Sequence, residues 1–150
     1  MPDGVELEGI GVLRWEDLRE IAATSNNCFT FKNGIYEKIL VFSELTNSNY
    51  SLYPKESAPT MLISGIPMHR IKDTTPDADT RKKIKAARPT GRVLDTATGL
   101  GYTAIAAAKT AQHVITVELD AAAQEICQLN PWSQELFNNP HIEQRIGDSF

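Results

Sequence analysis

Apolar and polar positions change period along the chain, and the changes mark its elements. Residues 15–23 (WEDLREIAA) place Trp15, Leu18 and Ile21 three apart, which predicts a short amphipathic helix that Asn26-Asn27 then breaks. Residues 28–42 (CFTFKNGIYEKILVF) read as two strands around Asn33-Gly34, a strong short hairpin signal. Residues 50–53 and 60–64 are shorter strand candidates between turn-forming residues. A helix starts after Thr75: Thr75 can cap it, Pro76 sits at the first helical position, and Asp77 and Asp79 lie in the first turn. Arg81, Lys82, Lys83 and Lys85 follow toward its C-terminal end, an order that suits the helix dipole, and Pro89-Thr90-Gly91 ends it. Strand and helix then alternate. Residues 92–94 form an apolar strand ending at Asp95, 102–111 an alanine-rich helix, and 114–117 (VITV) a β-branched strand. Residues 121–129 form a helix with Asp120 as N-cap, and 142–146 a third strand. A β-α-β-α-β order predicts a parallel sheet with right-handed crossovers.

The chemistry concentrates where the first of these strands meets its helix. Residues 93–103 (VLDTATGLGYT) make a strand, a glycine-containing loop and a helix start. Glycines let a ligand approach the backbone, and a helix start offers free N–H groups. In an open parallel sheet such a loop lies at the ligand-binding edge. Gly99-x-Gly101-x-x-Ala104 matches the dinucleotide pattern G-x-G-x-x-G/A. Asp95 argues against a dinucleotide, because a carboxylate facing that space would repel a pyrophosphate. It suits a cationic, phosphate-free nucleoside such as S-adenosylmethionine (SAM).

The stretch VLDTATGLGYTA resembles motif I of the class I SAM-dependent methyltransferases, (D/E)-x-G-x-G-x-G, with Asp95, Gly99 and Gly101 matching and Ala97 in place of the first glycine. The resemblance implies that Asp95 serves the methionine end of SAM and that Ala97, Gly99 and Gly101 line the cofactor with backbone. Glu118, 23 positions after Asp95 at the end of the second strand, is then the acceptor for both ribose hydroxyls, and Leu119 packs on the adenine. Asp148, after the third strand, is placed to accept from the adenine amino group. Within the superfamily the chain resembles an uncharacterised branch related to the spermidine synthase group, which also carries a small β-rich N-terminal region. Aminopropyltransferases usually show a Gly-Gly-Gly-Asp-Gly-Gly loop. This chain has Thr-Ala-Thr-Gly-Leu-Gly, which favours methylation over polyamine synthesis.

Charge and composition narrow the setting. Residues 1–69 carry a net charge of −4, residues 70–92 of +5 and residues 93–150 of −5. With 41% hydrophobic and 23% charged residues, the 150-residue chain has the composition of a folded soluble domain. No apolar run is long enough to span a membrane. The acidic N-terminus MPDGVELEG lacks a signal pattern, and Cys28 and Cys127 have neither disulfide-scaffold nor zinc spacing, so a cytoplasmic protein without a metal is expected. The net charge of −4 does not favour a nucleic-acid partner for the chain as a whole. The basic stretch from Arg81 to Arg88 reads most simply as a solvated helix face, with an anionic-substrate or RNA surface as the alternative.

Other polar residues are weighed the same way. His69 and Arg70, ahead of the basic helix, are the candidates for catalysis. His69 has an ordinary pKa suited to a base, although a structural or surface histidine is the simpler reading. His113 and His141 read as structural or exposed. Asn130-Pro131-Trp132 resembles the Asn-Pro-Pro-Tyr motif of amino-group methyltransferases but precedes the third strand, so it reads as a helix stop without a catalytic role.

The expectation is therefore an α/β protein. A small α+β N-terminal region, residues 1–88, ends in the basic helix. Residues 89–150 form the first β-α-β-α-β half of a Rossmann-like class I methyltransferase fold. The expected function is transfer of the SAM methyl group to an unidentified acceptor. An NAD-dependent oxidoreductase, a non-catalytic truncated SAM-binding domain and an aminopropyltransferase-like enzyme are the alternatives. The resemblance implies a longer sheet, so the chain is read as the N-terminal portion of a longer enzyme, inactive alone. The first strand would carry an unpaired apolar edge open to another chain.

Overall fold

The computed structural model describes residues 3–150, so the first two residues of the acidic N-terminal stretch lie outside the described residues. β1 (Gly4–Leu7) and β2 (Gly11–Arg14) form an antiparallel hairpin that leads into α1 (Trp15–Ala23). β3 (Phe29–Lys32) and β4 (Ile35–Lys38) form a second hairpin. Its turn residues, Asn33 and Gly34, both have positive φ (53° and 78°), the conformation an Asn-Gly hairpin turn needs. β5 (Leu40–Ser43), β6 (Ser48–Tyr53), β7 (Thr60–Ile63) and β8 (Ile66–Pro67) form an antiparallel sheet in chain order.

The second part alternates helix and strand: α2 (Pro76–Ala87), β9 (Gly91–Asp95), α3 (Tyr102–Ala107), β10 (Ala111–Glu118), α4 (Ala121–Leu129), a 3-10 turn (Pro131–Ser133), α5 (Glu135–Asn138) and β11 (Ile142–Ile146). β9, β10 and β11 are parallel, with β10 between the other two. The expected α/β class with a parallel β-α-β-α-β sheet is therefore present. Both capped helices start where the side chains dictate. Thr75 Oγ1 accepts from the Ala78 amide at 3.3 Å, and Asp120 Oδ1 accepts from the Ala122 amide at 3.0 Å.

Three local expectations are corrected. The alanine-rich helix ends at Ala107, because Ala111 already pairs with Gly91 in the sheet and Thr110 Oγ1 is turned to the Pro89 carbonyl at 2.7 Å. The apolar run 39–42 extends the Asn-Gly hairpin by one residue only. Buried Ile39 donates its amide to the Cys28 carbonyl, and Leu40 begins a strand of a different sheet. In α1 the buried residue is Asp17, held by Arg14 Nε at 3.1 Å, while Trp15 is 45% exposed. The β1–β2 hairpin and α5 have no counterpart in the sequence reading, being short and without strong period.

One buried cluster joins the two parts of the chain. Tyr50, Leu52 and Met61 from the antiparallel sheet, with Ala58 from the β6–β7 connection, pack with Leu100, Ala104, Val114, Ile126 and Leu136 from the parallel part. Polar links cross the same boundary: Asp120 Oδ2 accepts from Thr46 Oγ1 (2.8 Å) and from the Tyr50 hydroxyl (3.0 Å), and the Tyr102 hydroxyl donates to the Pro59 carbonyl (2.8 Å). Although burial opposes it, the Ser43 hydroxyl and the Ala122 amide, with the Thr46 and Tyr50 hydroxyls, hold the Asp120 carboxyl below its usual pKa. No helix among the described residues is long and apolar enough to cross a membrane.

Candidate functional site

The loop between β9 and α3 is fixed from below. The Thr98 amide donates to the Val117 carbonyl at 2.9 Å, and Thr98 Oγ1 lies 2.6 Å from Thr116 Oγ1, both side chains buried. Thr116 Oγ1 donates onward to Asp95 Oδ2 at 2.8 Å. Asp95 therefore ends β9 with one oxygen anchored to the neighbouring strand, directly across from its register partner Thr116. Burial pushes the Asp95 carboxyl above its usual pKa; the Thr116 hydroxyl opposes the shift and the nearby charge of Glu118 adds to it.

Glu118 ends β10 on the same edge of the sheet. Its Oε2 accepts from the Gly99 amide at 2.8 Å and its Oε1 from the Asp120 amide at 3.2 Å. A carboxylate offers about four lone-pair sites, so each oxygen keeps capacity for one further donor. The two carboxylates thus stand on one edge beside the glycine loop, and among the described residues no basic side chain pairs with either. Leu119 follows Glu118 and is 53% exposed. Asp148 is exposed after β11, its Oδ1 accepting from the Phe150 amide at 3.0 Å, and the adjoining Gly147 amide donates to the Glu118 carbonyl at 2.8 Å. Ala97 is exposed in the loop.

The glycines have a role the sequence reading did not contain. Gly99 (φ 53°) and Gly101 (φ 77°) both adopt left-handed backbone, and the space a Cβ would fill is taken by this chain's own side chains. At Gly99 a Cβ would stand 2.1 Å from Met68 Cε; at Gly101 it would stand 2.3–2.6 Å from three carbons of Leu136. Met68 comes from the turn after β8, so the N-terminal part covers the loop directly. Beneath the loop, Cys127 Sγ donates to the Gly99 carbonyl at 3.0 Å, and burial pushes this thiol up to about 12. Neither Met68 nor Cys127 carries a motif signal, so only three-dimensional packing reveals them.

The packing of His69 favours the simpler of its two readings, a structural histidine. Its Nδ1 lies 2.9 Å from Thr60 Oγ1, its ring stacks on Tyr102 at 5.2 Å, and burial, with the Lys83 charge, lowers its pKa to about 4. A neutral, packed imidazole of that basicity is a poor base at neutral pH. Arg70 is exposed beside it. His113 pairs with Glu143 at 3.3 Å and His141 Nδ1 lies 3.0 Å from the Gln112 carbonyl, away from the carboxylate edge. Asn130 is fully buried: its side chain caps the 3-10 turn and donates to the Tyr102 hydroxyl at 2.9 Å and to Ser133 Oγ at 2.8 Å, a structural role.

With this geometry established, comparison with known proteins places the fold. No protein-family model matches the chain. It is 37% identical over 142 residues to an uncharacterized protein of Methanocaldococcus jannaschii, an alignment covering 93% of this chain and 48% of that protein. The chain thus spans about half the length of the curated relative it matches. In three dimensions it is similar to spermidine synthase from Thermotoga maritima, with a TM-score of 0.54 and 16% identity over 83% of this chain and 47% of that one. It is similar again to a spermidine synthase in complex with the transition state analogue AdoDATO, with a TM-score of 0.52 and 17% identity over the same shares. The fold is Rossmann-like α/β, shared with these spermidine synthases. At these identities the likeness concerns the fold alone.

Proposed function

We propose that the carboxylate edge binds SAM and that the protein to which this sequence belongs transfers the SAM methyl group to an acceptor. The observation that carries the reading is the pair Asp95 and Glu118, two carboxylates ending adjacent parallel strands beside Gly99. An anionic edge disfavours a pyrophosphate and favours a ligand carrying cationic groups on a nucleoside. The residues present fit SAM: the two Glu118 oxygens can each take one ribose hydroxyl, Asp95 faces the cationic methionine end, and exposed Leu119 and Asp148 flank the adenine position. SAM would supply an electrophilic methyl group on a sulfonium. The chain's part is to hold that donor in line with a nucleophile, which accounts for most of the acceleration in a direct displacement.

Aminopropyl transfer is the second reading, favoured by the spermidine synthase likeness and disfavoured by the Thr-Ala-Thr-Gly-Leu-Gly loop. Calorimetric titration with SAM, decarboxylated SAM and NAD separates the readings. Binding of SAM in preference to the other two supports methyl transfer. Preference for decarboxylated SAM supports the second reading, and NAD binding without SAM binding overturns both.

A further inference from the structure

A separate groove runs along the outer side of α3, between α2 and the 3-10 turn. It is a hollow of about 340 Å³, lined among others by Arg81, Lys109, Tyr102, Trp132, Asp77 and Glu135. α2 and α3 lie side by side in the same sense: Asp77 and Tyr102 mark their N-terminal ends on the groove, and Thr110 bonds the Pro89 carbonyl where both helices finish. The groove is therefore polarised. Its acids, Asp77 and Glu135, belong to the end where the helices begin, and Asp77 is already committed to Arg81 (2.9 Å) and to the Ser57 and Thr75 hydroxyls. Toward the other end lie cations. Helical spacing puts Lys85 one turn beyond Arg81 on the same flank, Arg88 caps α2, and Lys109 lines the groove from α3. None of Lys85, Arg88 and Lys109 forms a salt bridge among the described residues.

Trp132 completes the arrangement. It is 55% exposed and lines both this groove and a neighbouring hollow bounded by Phe29, Pro54 and Lys55. An indole standing between two hollows presents its ring as a platform, and its anchoring is in the backbone, where its amide donates to Asn130 Oδ1 at 3.3 Å. Asn130 and Ser133, on either side of Trp132, bond the Tyr102 hydroxyl and the Leu100 carbonyl, so the ring stands where the helices begin and the cations lead away from it. A cationic track leading from an exposed aromatic ring is a combination that binds single strands: a base stacks on the ring and phosphates follow the charges.

We propose that this groove binds single-stranded nucleic acid, with a base stacked on Trp132 and the phosphate backbone running along Arg81, Lys85, Arg88 and Lys109. An acidic protein segment would use the cations but would have no need of a stacking platform. The inference concerns a surface distinct from the carboxylate edge and stands whether or not that edge binds SAM.

Fluorescence anisotropy of a short labelled oligouridylate tests it at low ionic strength. The protein should bind with a log–log salt slope of about −2 to −3, as four phosphate contacts on a single strand require. Trp132→Ala should weaken binding about tenfold with little change of slope, and Trp132→Phe, which keeps a stacking ring, should retain it. The double reversal Lys85→Glu, Arg88→Glu should weaken binding about tenfold or more and flatten the slope. The same double reversal at Lys32 and Lys38, exposed on the β3–β4 hairpin, should change little. Absence of binding, equal loss in the Lys32/Lys38 control, equal binding of a fully paired duplex, or displacement by polyglutamate at equal charge would each overturn the proposal.

Discussion

The Gly99 amide donates to Glu118 Oε2 at 2.8 Å, joining the turn of the glycine loop to the end of the neighbouring strand. This bond sets the spacing of the whole edge. It holds Glu118 beside the loop and within electrostatic reach of Asp95, whose own oxygen is fixed by Thr116. The carboxylates repel each other, and the fold accepts that cost at a point where a cationic ligand would relieve it.

Replacing one member of the pair should expose that cost. The raised pKa of Asp95 means the folded state holds its proton more tightly than the unfolded state does. Its ionisation therefore lowers stability as pH rises through the interval between the ordinary and the raised value. Asp95→Asn should melt at a higher temperature than the parent at pH 7, with the difference vanishing below the ordinary carboxylate pKa. The same variant should bind SAM about 10- to 100-fold more weakly, the cost of losing a charged partner. Melting curves at both pH values, with and without SAM, check both halves; a variant less stable at pH 7 would contradict the electrostatic account.

The two loop glycines should respond differently to alanine. Gly99→Ala places a Cβ against the end of the flexible Met68 side chain, which can swing away, so the cost is the left-handed backbone, about 1–2 kcal/mol. Gly101→Ala meets three carbons of buried Leu136 as well, adding roughly 1–3 kcal/mol of overpacking. Urea unfolding should rank Gly101→Ala as clearly the less stable, and in a double-mutant cycle Gly101→Ala should cost less in the Leu136→Ala background than in the parent, by the overpacking share.

His69 should make the fold acid-sensitive. Its pKa is lowered to about 4, chiefly by burial. A histidine kept neutral in the native state contributes stability above its ordinary value near 6.5, and that contribution is lost as pH falls from there toward 4. Stability measured between pH 7 and pH 4 should decline, and His69→Gln should flatten that decline. A variant with an unchanged pH profile would show that the loss originates elsewhere.

Tyr102 ties the two parts of the chain through one hydroxyl, which donates to Pro59 and accepts from Asn130. Tyr102→Phe keeps the ring stacked on His69 but leaves a buried carbonyl without its donor. It should cost about 1–3 kcal/mol in chemical unfolding, with no change in the salt dependence of oligonucleotide binding. A cost near zero would mean that the carbonyl finds another donor.

Much of the fold was readable because it rests on local rules. Thr75 and Asp120 cap helices that start where they stand, Asn33-Gly34 turns the hairpin, and residues 142–146 form the third strand expected there. The helix after Gly101 was read too long because an alanine run favours helix, and only pairing of Ala111 with Gly91 withdraws those residues into the sheet. The two readings of His69 are not separable in the sequence, because its neighbours Thr60 and Tyr102 are distant in the chain and their packing sets its basicity.

By itself the sequence determined the alternation of strand and helix, the caps and the order of Asp95, Gly99, Gly101 and Glu118, because these depend on period, on backbone conformation and on neighbours a few residues away. The tertiary structure alone decided which side chains occupy the glycine spaces, that Glu118 is bound to the loop, that His69 is neutral and that Trp132 stands exposed beside Arg81 and Lys109. Those outcomes depend on contacts between residues far apart in the chain. Such contacts fix burial and dielectric surroundings, and they leave no periodic trace in the sequence.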